Sequence, residues 1–290
     1  MTLRESAFLF GCEGEELVGL IAVPADDVEM SAVGVLVVVG GPQYRVGSHR
    51  QFVLLSRFLA EKGIPCMRFD YRGMGDASGT PRVFEEVDDD LKAAMDEFFR
   101  QVPSLKKVVI WGLCDGASAA CLYARHESRV AGLVLLNPWV KTDAGVARTF
   151  LKHYYLRRLF DPSFWKKLFS GRVSIGKSAG ELVGAAKLAR GTAPVEPENV
   201  SLPERMGAAL SSGAVPFVFF LSRRDFVARE FEDVAGRVPT WQQLLKRDSC
   251  FGIQHFEADH TFSTTKAKAD VACATLEQVQ LFARWQGDLL

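Results

Sequence analysis

Apolar positions in this chain fall into short unbroken blocks, separated by stretches with helical spacing. Residues 33–39 are apolar at every position, and 130–136 and 215–221 follow the same pattern. Blocks of that length suit strands covered on both faces. Residues 5–12 and 16–23 predict two more strands, joined antiparallel through Glu13-Gly14, and 65–69, 108–110 and 251–256 predict three short ones. Between them, Phe52, Leu55, Phe58 and Leu59 form one helical stripe over 48–62, stopped by Gly63. Residues 84–102 predict an acidic amphipathic helix and 264–285 a final helix. Strands that alternate with helices predict an α/β protein built on a mostly parallel sheet flanked by helices.

Residues 140–210 break this rhythm and are too long for an ordinary connection. They carry Phe150, Tyr154, Tyr155, Phe160, Phe164 and Trp165 among many basic residues. Between 141 and 190, eleven Lys and Arg face three Asp and Glu, a local net charge of +8. We expect a mainly helical cap inserted over 140–210, with residues 193–203 as a loop, leaving a core of 1–139 and 211–290. Three roles are open to the cap. It draws an anionic substrate, it touches anionic lipid as a peripheral membrane surface, or it is an amphipathic lid with solvated Lys and Arg heads.

Overall charge adds little: 35 basic residues balance 35 acidic ones, which gives no reason to expect nucleic acid. No apolar run approaches the roughly 20 residues of a membrane span, and the first residues lack a signal-peptide pattern. Six cysteines without metal spacing are expected as free thiols in a reducing cytoplasm. The five histidines show no ligand spacing, so neither a metal nor a cofactor is expected. Asp88, Asp89 and Asp90 point in different directions on a helix and are expected as a solvated face.

The chemistry concentrates at 108–123, VVIWGLCDGASAACLY. A strand runs into Gly-x-Cys-x-Gly, and small helix-compatible residues follow at once. A strand-turn-helix this tight needs Gly112 and Gly116 to be small and holds Cys114 in a strained backbone. It also sets the thiol at a helix N-terminus, which favours thiolate.

This stretch resembles the nucleophile elbow of the α/β-hydrolases, with cysteine where serine is usual. GGPQ at 40–43, DYRGMGDASG at 70–79, SRRD at 222–225 and ADHTF at 258–262 extend the resemblance over nearly the whole chain. It implies an α/β-hydrolase fold with Cys114 as nucleophile, Asp225 as the acid and His260 as the base, the chain order of that fold. Asp233 and His255 are the rivals, the first in a helical pattern and the second inside a strand pattern. The oxyanion hole is expected at the backbone N–H of Asp115 and at the loop after the strand at 33–39. Pro42 has no N–H, so the loop's donor is Gly41 or Gln43; likeness to His-Gly-Gly-Pro loops of some peptidases favours Gly41. Asp70 and Arg72 are expected to pair and to brace neighbouring loops.

GGPQYRVGSHRQ, DYRGMGD and WGLCDGASA together look more particularly like the first of two hydrolases associated with exosortase A systems. That family occurs in bacteria that make exopolysaccharide and sort PEP-CTERM proteins. Cysteine at the elbow is also similar to dienelactone hydrolase, though the cap and the GGPQ loop differ. The expected activity is hydrolysis of an ester or thioester, the substrate being a small-molecule or a lipid- or saccharide-linked acyl compound. Acyl transfer to a sugar or lipid hydroxyl is the alternative, and a non-catalytic binding protein on the same fold is a third reading.

Overall fold

The structure is a computed structural model that describes residues 3–40, 43–140, 200–213 and 215–285. Its chain order is β1 (Leu3–Cys12), β2 (Glu15–Pro24), β3 (Val33–Val38), α1 (Gln51–Glu61), β4 (Cys66–Asp70), α2 (Asp88–Gln101), β5 (Lys107–Leu113), α3 (Asp115–Ala124) and β6 (Val130–Leu136). There follow α4 (Leu202–Ser212), β7 (Phe217–Ser222), α5 (Phe226–Ala235), α6 (Pro239–Leu244), β8 (Cys250–Phe256) and α7 (Thr265–Phe282).

The eight strands form one sheet in the order β1-β2-β4-β3-β5-β6-β7-β8. β1 pairs antiparallel with β2 and β2 with β4, while every neighbour from β4 to β8 is parallel. Burial follows this order. Every residue of β4 and β7 is buried, as are five of six in β3, whereas the edge strand β1 keeps most of its residues partly or fully exposed. A parallel strand needs a crossover, and the helices that supply it cover both faces. Phe98 of α2 lies against Gly34 and α3 against Gly112 on one face. On the other, Phe52 of α1 meets Trp111 edge-on at 5.6 Å and Phe282 of α7 lies against Gly132.

The insertion expected over 140–210 lies almost wholly outside the described residues. Its described end forms α4, where a loop was expected up to residue 203. Ser201 and Glu204 close a capping box, and Pro203 sits in the first turn. Met206 and Leu210 of this helix are buried, and the carbonyl of Pro203 accepts a hydrogen bond from Trp241 Nε1 at 2.8 Å.

Candidate active site

β3, β5, β6, β7 and β8 all end at one edge of the sheet. β3 leads to β4 on one side, and from β5 the chain runs to the other. Such a reversal opens a crevice at the carboxyl ends of the strands. Cys114 stands at that point, directly after β5.

The elbow is tight. Cys114 has φ 60° and ψ −125°, a region that non-glycine residues rarely occupy. Its N–H donates to the Leu136 carbonyl at 2.9 Å, and its own carbonyl accepts from Ala117 and Trp139 N–H. A Cβ on Gly112 would lie 2.5 Å from the Gly116 carbonyl oxygen, and one on Gly116 would lie 2.6 Å from that of Val38. Strand, turn and helix therefore approach closely only because both positions are glycine. Ser118, buried one turn into α3, donates to the Trp139 carbonyl at 2.6 Å and ties the helix to the end of β6.

Asp225 follows β7 and caps α5, accepting the N–H groups of Val227 at 3.2 Å and Ala228 at 3.3 Å. Its Oδ2 also lies 2.7 Å from His260 Nδ1. The helix N-terminus thus fixes the carboxylate that orients the imidazole. The Cys114 thiol also interacts with the His260 side chain. Burial alone would lower the pKa of this histidine. Hydrogen bonds to Asp225 and Cys114, and the negative charge each can carry, outweigh burial and raise it from 6.5 to about 10.

The rivals stand elsewhere. His255 lies within β8 and pairs with Glu232 of α5 at 2.7 Å, and Asp233 is carried away on α5. Of the expected oxyanion donors, Asp115 is the first residue of α3, where an N–H has no acceptor within its own helix. Gly41 lies outside the described residues. Gln43 is described, and its Oε1 accepts the N–H of Ser48 at 3.2 Å.

Two buried polar side chains of the surrounding shell were not anticipated as such, Asn137 and Ser222. Asn137, directly after β6, is fully buried at φ 42°. Its Nδ2 donates to Ser222 Oγ and to the His260 carbonyl, each at 3.0 Å, and its Oδ1 accepts the N–H of Ser222 at 2.8 Å. Ser222 Oγ in turn donates to the Asp259 carbonyl at 2.9 Å. The ends of β6 and β7 and the His260 loop are thereby joined. The available signal was a lone asparagine closing an apolar strand before a proline.

The expected Asp70–Arg72 pair does not form. The Asp70 carboxylate is enclosed by its own turn, accepting the N–H of Asp76 at 3.1 Å, and it also takes the N–H of Arg45 at 2.6 Å and the Arg45 guanidinium. Arg72 points instead to the first turn of α2 and forks onto Asp90, with its closest contact at 2.7 Å. Both loops are braced, as expected, but by other partners. Asp90 is accordingly buried, while Asp88 and Asp89 remain exposed.

Among the described residues, no group of three or more His, Cys, Asp or Glu is placed to hold a metal ion, and no helix is long and apolar enough to cross a membrane.

Fold and sheet-edge elbow together define the protein as an α/β hydrolase. The family described as serine aminopeptidase, S33 matches residues 32–178, just over half of the chain, and the chain belongs to it. Among solved structures, an esterase of Pyrococcus furiosus, Pf2001, is similar at a TM-score of 0.64 and 16% identity, covering 98% of this chain and 92% of its own. Among curated proteins, the polyketide transferase grgF of a Penicillium species is 26% identical over 98 residues, 32% of this chain and 33% of its own. The acyltransferase drtE of Aspergillus calidoustus is 28% identical over 104 residues, 34% of this chain and 33% of its own. The chain thus spans about a third of the length of these curated relatives.

Proposed function

We propose that Cys114, His260 and Asp225 act as nucleophile, base and acid in acyl transfer from an ester or thioester to water. The observation that carries this is the contact of His260 Nδ1 with the Asp225 carboxylate at 2.7 Å, on an imidazole that also interacts with the Cys114 thiol. His260 holds the thiol proton as an imidazolium beside the thiolate, and the sulfur attacks the acyl carbonyl. The tetrahedral oxyanion forms against the N–H of Asp115 and of Gly41. As it collapses, the C–O or C–S bond to the leaving group breaks and His260 returns the proton to that group. Water, deprotonated by the same imidazole, then opens the acyl-cysteine and releases the acid. Each oxyanion donor is worth about 2.7–4 kcal/mol in the transition state.

The family's name specifies serine, and this chain carries cysteine at the elbow. A thiolate attacks readily, whereas the thioester it forms has to be released by a second nucleophile. That chemistry, with the partial likeness to a polyketide transferase and an acyltransferase, favours a second reading in which a sugar or lipid hydroxyl accepts the acyl group. The likeness of the GGPQ, DYRGMGD and GLCDG segments to the exosortase A-associated hydrolases supports a place in envelope polysaccharide chemistry. Residues 140–210 are proposed as the cap over this edge, their net positive charge suited to an anionic acyl substrate.

The test is intact mass after brief mixing with a short-chain p-nitrophenyl ester, wild type beside Cys114→Ala. The expected result is one acyl adduct on wild type and none on the variant. Undiminished turnover by Cys114→Ala would overturn the proposal. Absence of both adduct and product would favour a binding protein on a hydrolase fold.

A further inference from the structure

A chamber lies between α1 and α7, with Phe262 of the His260 loop in its lining. Its volume is about 260 Å³, larger than the roughly 150 Å³ of apolar cavity that admits a benzene ring. Trp111 and Phe262 line it, both buried, together with Leu55 and Phe58 of α1 and Val271 of α7. Leu54 and Ala269 stand exposed among the lining residues and mark its opening to solvent. Such a lining suits an apolar chain.

The polar residues of the chamber are Gln51, Thr265 and Lys268. Gln51 is only 6% exposed, yet its Nε2 has no hydrogen-bond partner among the described residues. Buried amide donors are nearly always paired, so this one is open to an acceptor from beyond the described residues. Lys268 also lines the chamber. Its ammonium touches only the His49 carbonyl, at a long 3.4 Å, and among the described residues it has no carboxylate partner. The neighbouring Lys266 is already engaged by Asp270 at 2.7 Å. An amide donor and a cation beside an apolar chamber match the two oxygens of a carboxylate with an aliphatic tail.

We propose that the cavity between α1 and α7 is a binding site for a medium-chain aliphatic carboxylate, its head held by Gln51 and Lys268 and its tail against Trp111 and Phe262. The site is separate from the Cys114 sulfur, and the proposal stands whether or not Cys114 is a nucleophile. Phe262 follows His260 by two residues, so an occupant touches the loop that carries the imidazole.

The experiment is calorimetric titration of the full chain with sodium decanoate, wild type beside Gln51→Leu and Ala269→Trp. The expected result is saturable one-site binding to wild type, weakened roughly tenfold in Gln51→Leu through loss of the donor and abolished in Ala269→Trp, whose new ring fills the chamber. Ala269 is exposed, so that variant is expected to melt as wild type does; Leu54→Trp serves as a second filler if it does not. No saturable binding overturns the proposal, including the case in which a segment outside the described residues already occupies the chamber. Binding equally tight in all variants places decanoate elsewhere and also overturns it. Loss in the filled variant without loss in Gln51→Leu overturns the head-group assignment.

Discussion

Asn137 donates to the carbonyl of His260 at 3.0 Å, from a buried position 123 residues earlier in the chain. The same side chain accepts the N–H of Ser222. Truncation in Asn137→Ala leaves that buried N–H unpaired and releases the His260 loop. We expect a loss of about 1–3 kcal/mol in urea unfolding. Well below the melting transition, acylation of Cys114 should also slow. A variant that is destabilised but acylated at the wild-type rate would show that Asn137 supports the fold alone.

Thiol reactivity gives a direct test of the proposed triad. Burial pushes Cys12 up to about 11 and Cys66 to about 12, and raises Cys121 and Cys250 as well. Cys273 is exposed and Cys114 half-buried. With iodoacetamide at neutral pH, Cys114 and Cys273 should be labelled in the native protein, and all six cysteines in urea. His260→Ala should slow labelling of Cys114 about 10²- to 10⁴-fold, the usual contribution of a positioned base, and leave Cys273 unchanged as an internal control. Peptide mapping by mass spectrometry distinguishes the two.

The raised pKa of His260 makes part of the stability depend on pH. Its ordinary value is 6.5 and its value in the fold about 10, so the native state holds the proton more tightly than the unfolded chain. The stabilisation is complete below about 6.5 and disappears as pH rises through about 10. One third of the side chain is exposed, so solvent screening reduces the effect. Comparing wild type with His260→Gln in denaturant titrations, the gap should be constant at acid pH and narrow between neutral pH and 10. A gap that widens over that range would contradict the assignment.

Arg72 and Asp90 form a buried, forked pair. Asp90→Ala strands a guanidinium and should cost about 3–5 kcal/mol of unfolding free energy. Asp89→Ala, on the exposed side of the same helix turn, should change it far less. Equal effects of the two substitutions would refute the distinction between them.

Much of this could be read from the chain alone. The strand blocks at 33–39, 130–136 and 215–221 were legible because strands covered on both faces cannot alternate. The elbow was legible because so tight a turn demands glycine on both sides of Cys114. What escaped reading depends on where side chains reach across the fold. Asp70 and Arg72 are close in sequence and of opposite charge, yet each found a partner 18 or more residues away. Nothing local announces that Asp90, among three aspartates, is the buried one. The capping box of Ser201 and Glu204 was visible in the sequence, but a proline-rich approach masked it.

The order of strands along the chain also bears on when the proposed chemistry becomes available during synthesis. Cys114 emerges early, after β5, whereas Asp225 and His260 follow β7 and β8. Those two strands lie together at the end of the sheet, beyond β6. Contacts so distant in sequence form slowly. Until β7 and β8 are synthesised, a nascent chain carries its thiol without the imidazole and carboxylate proposed to activate it. On the proposed roles, activation of the thiol waits on the last two strands of the sheet.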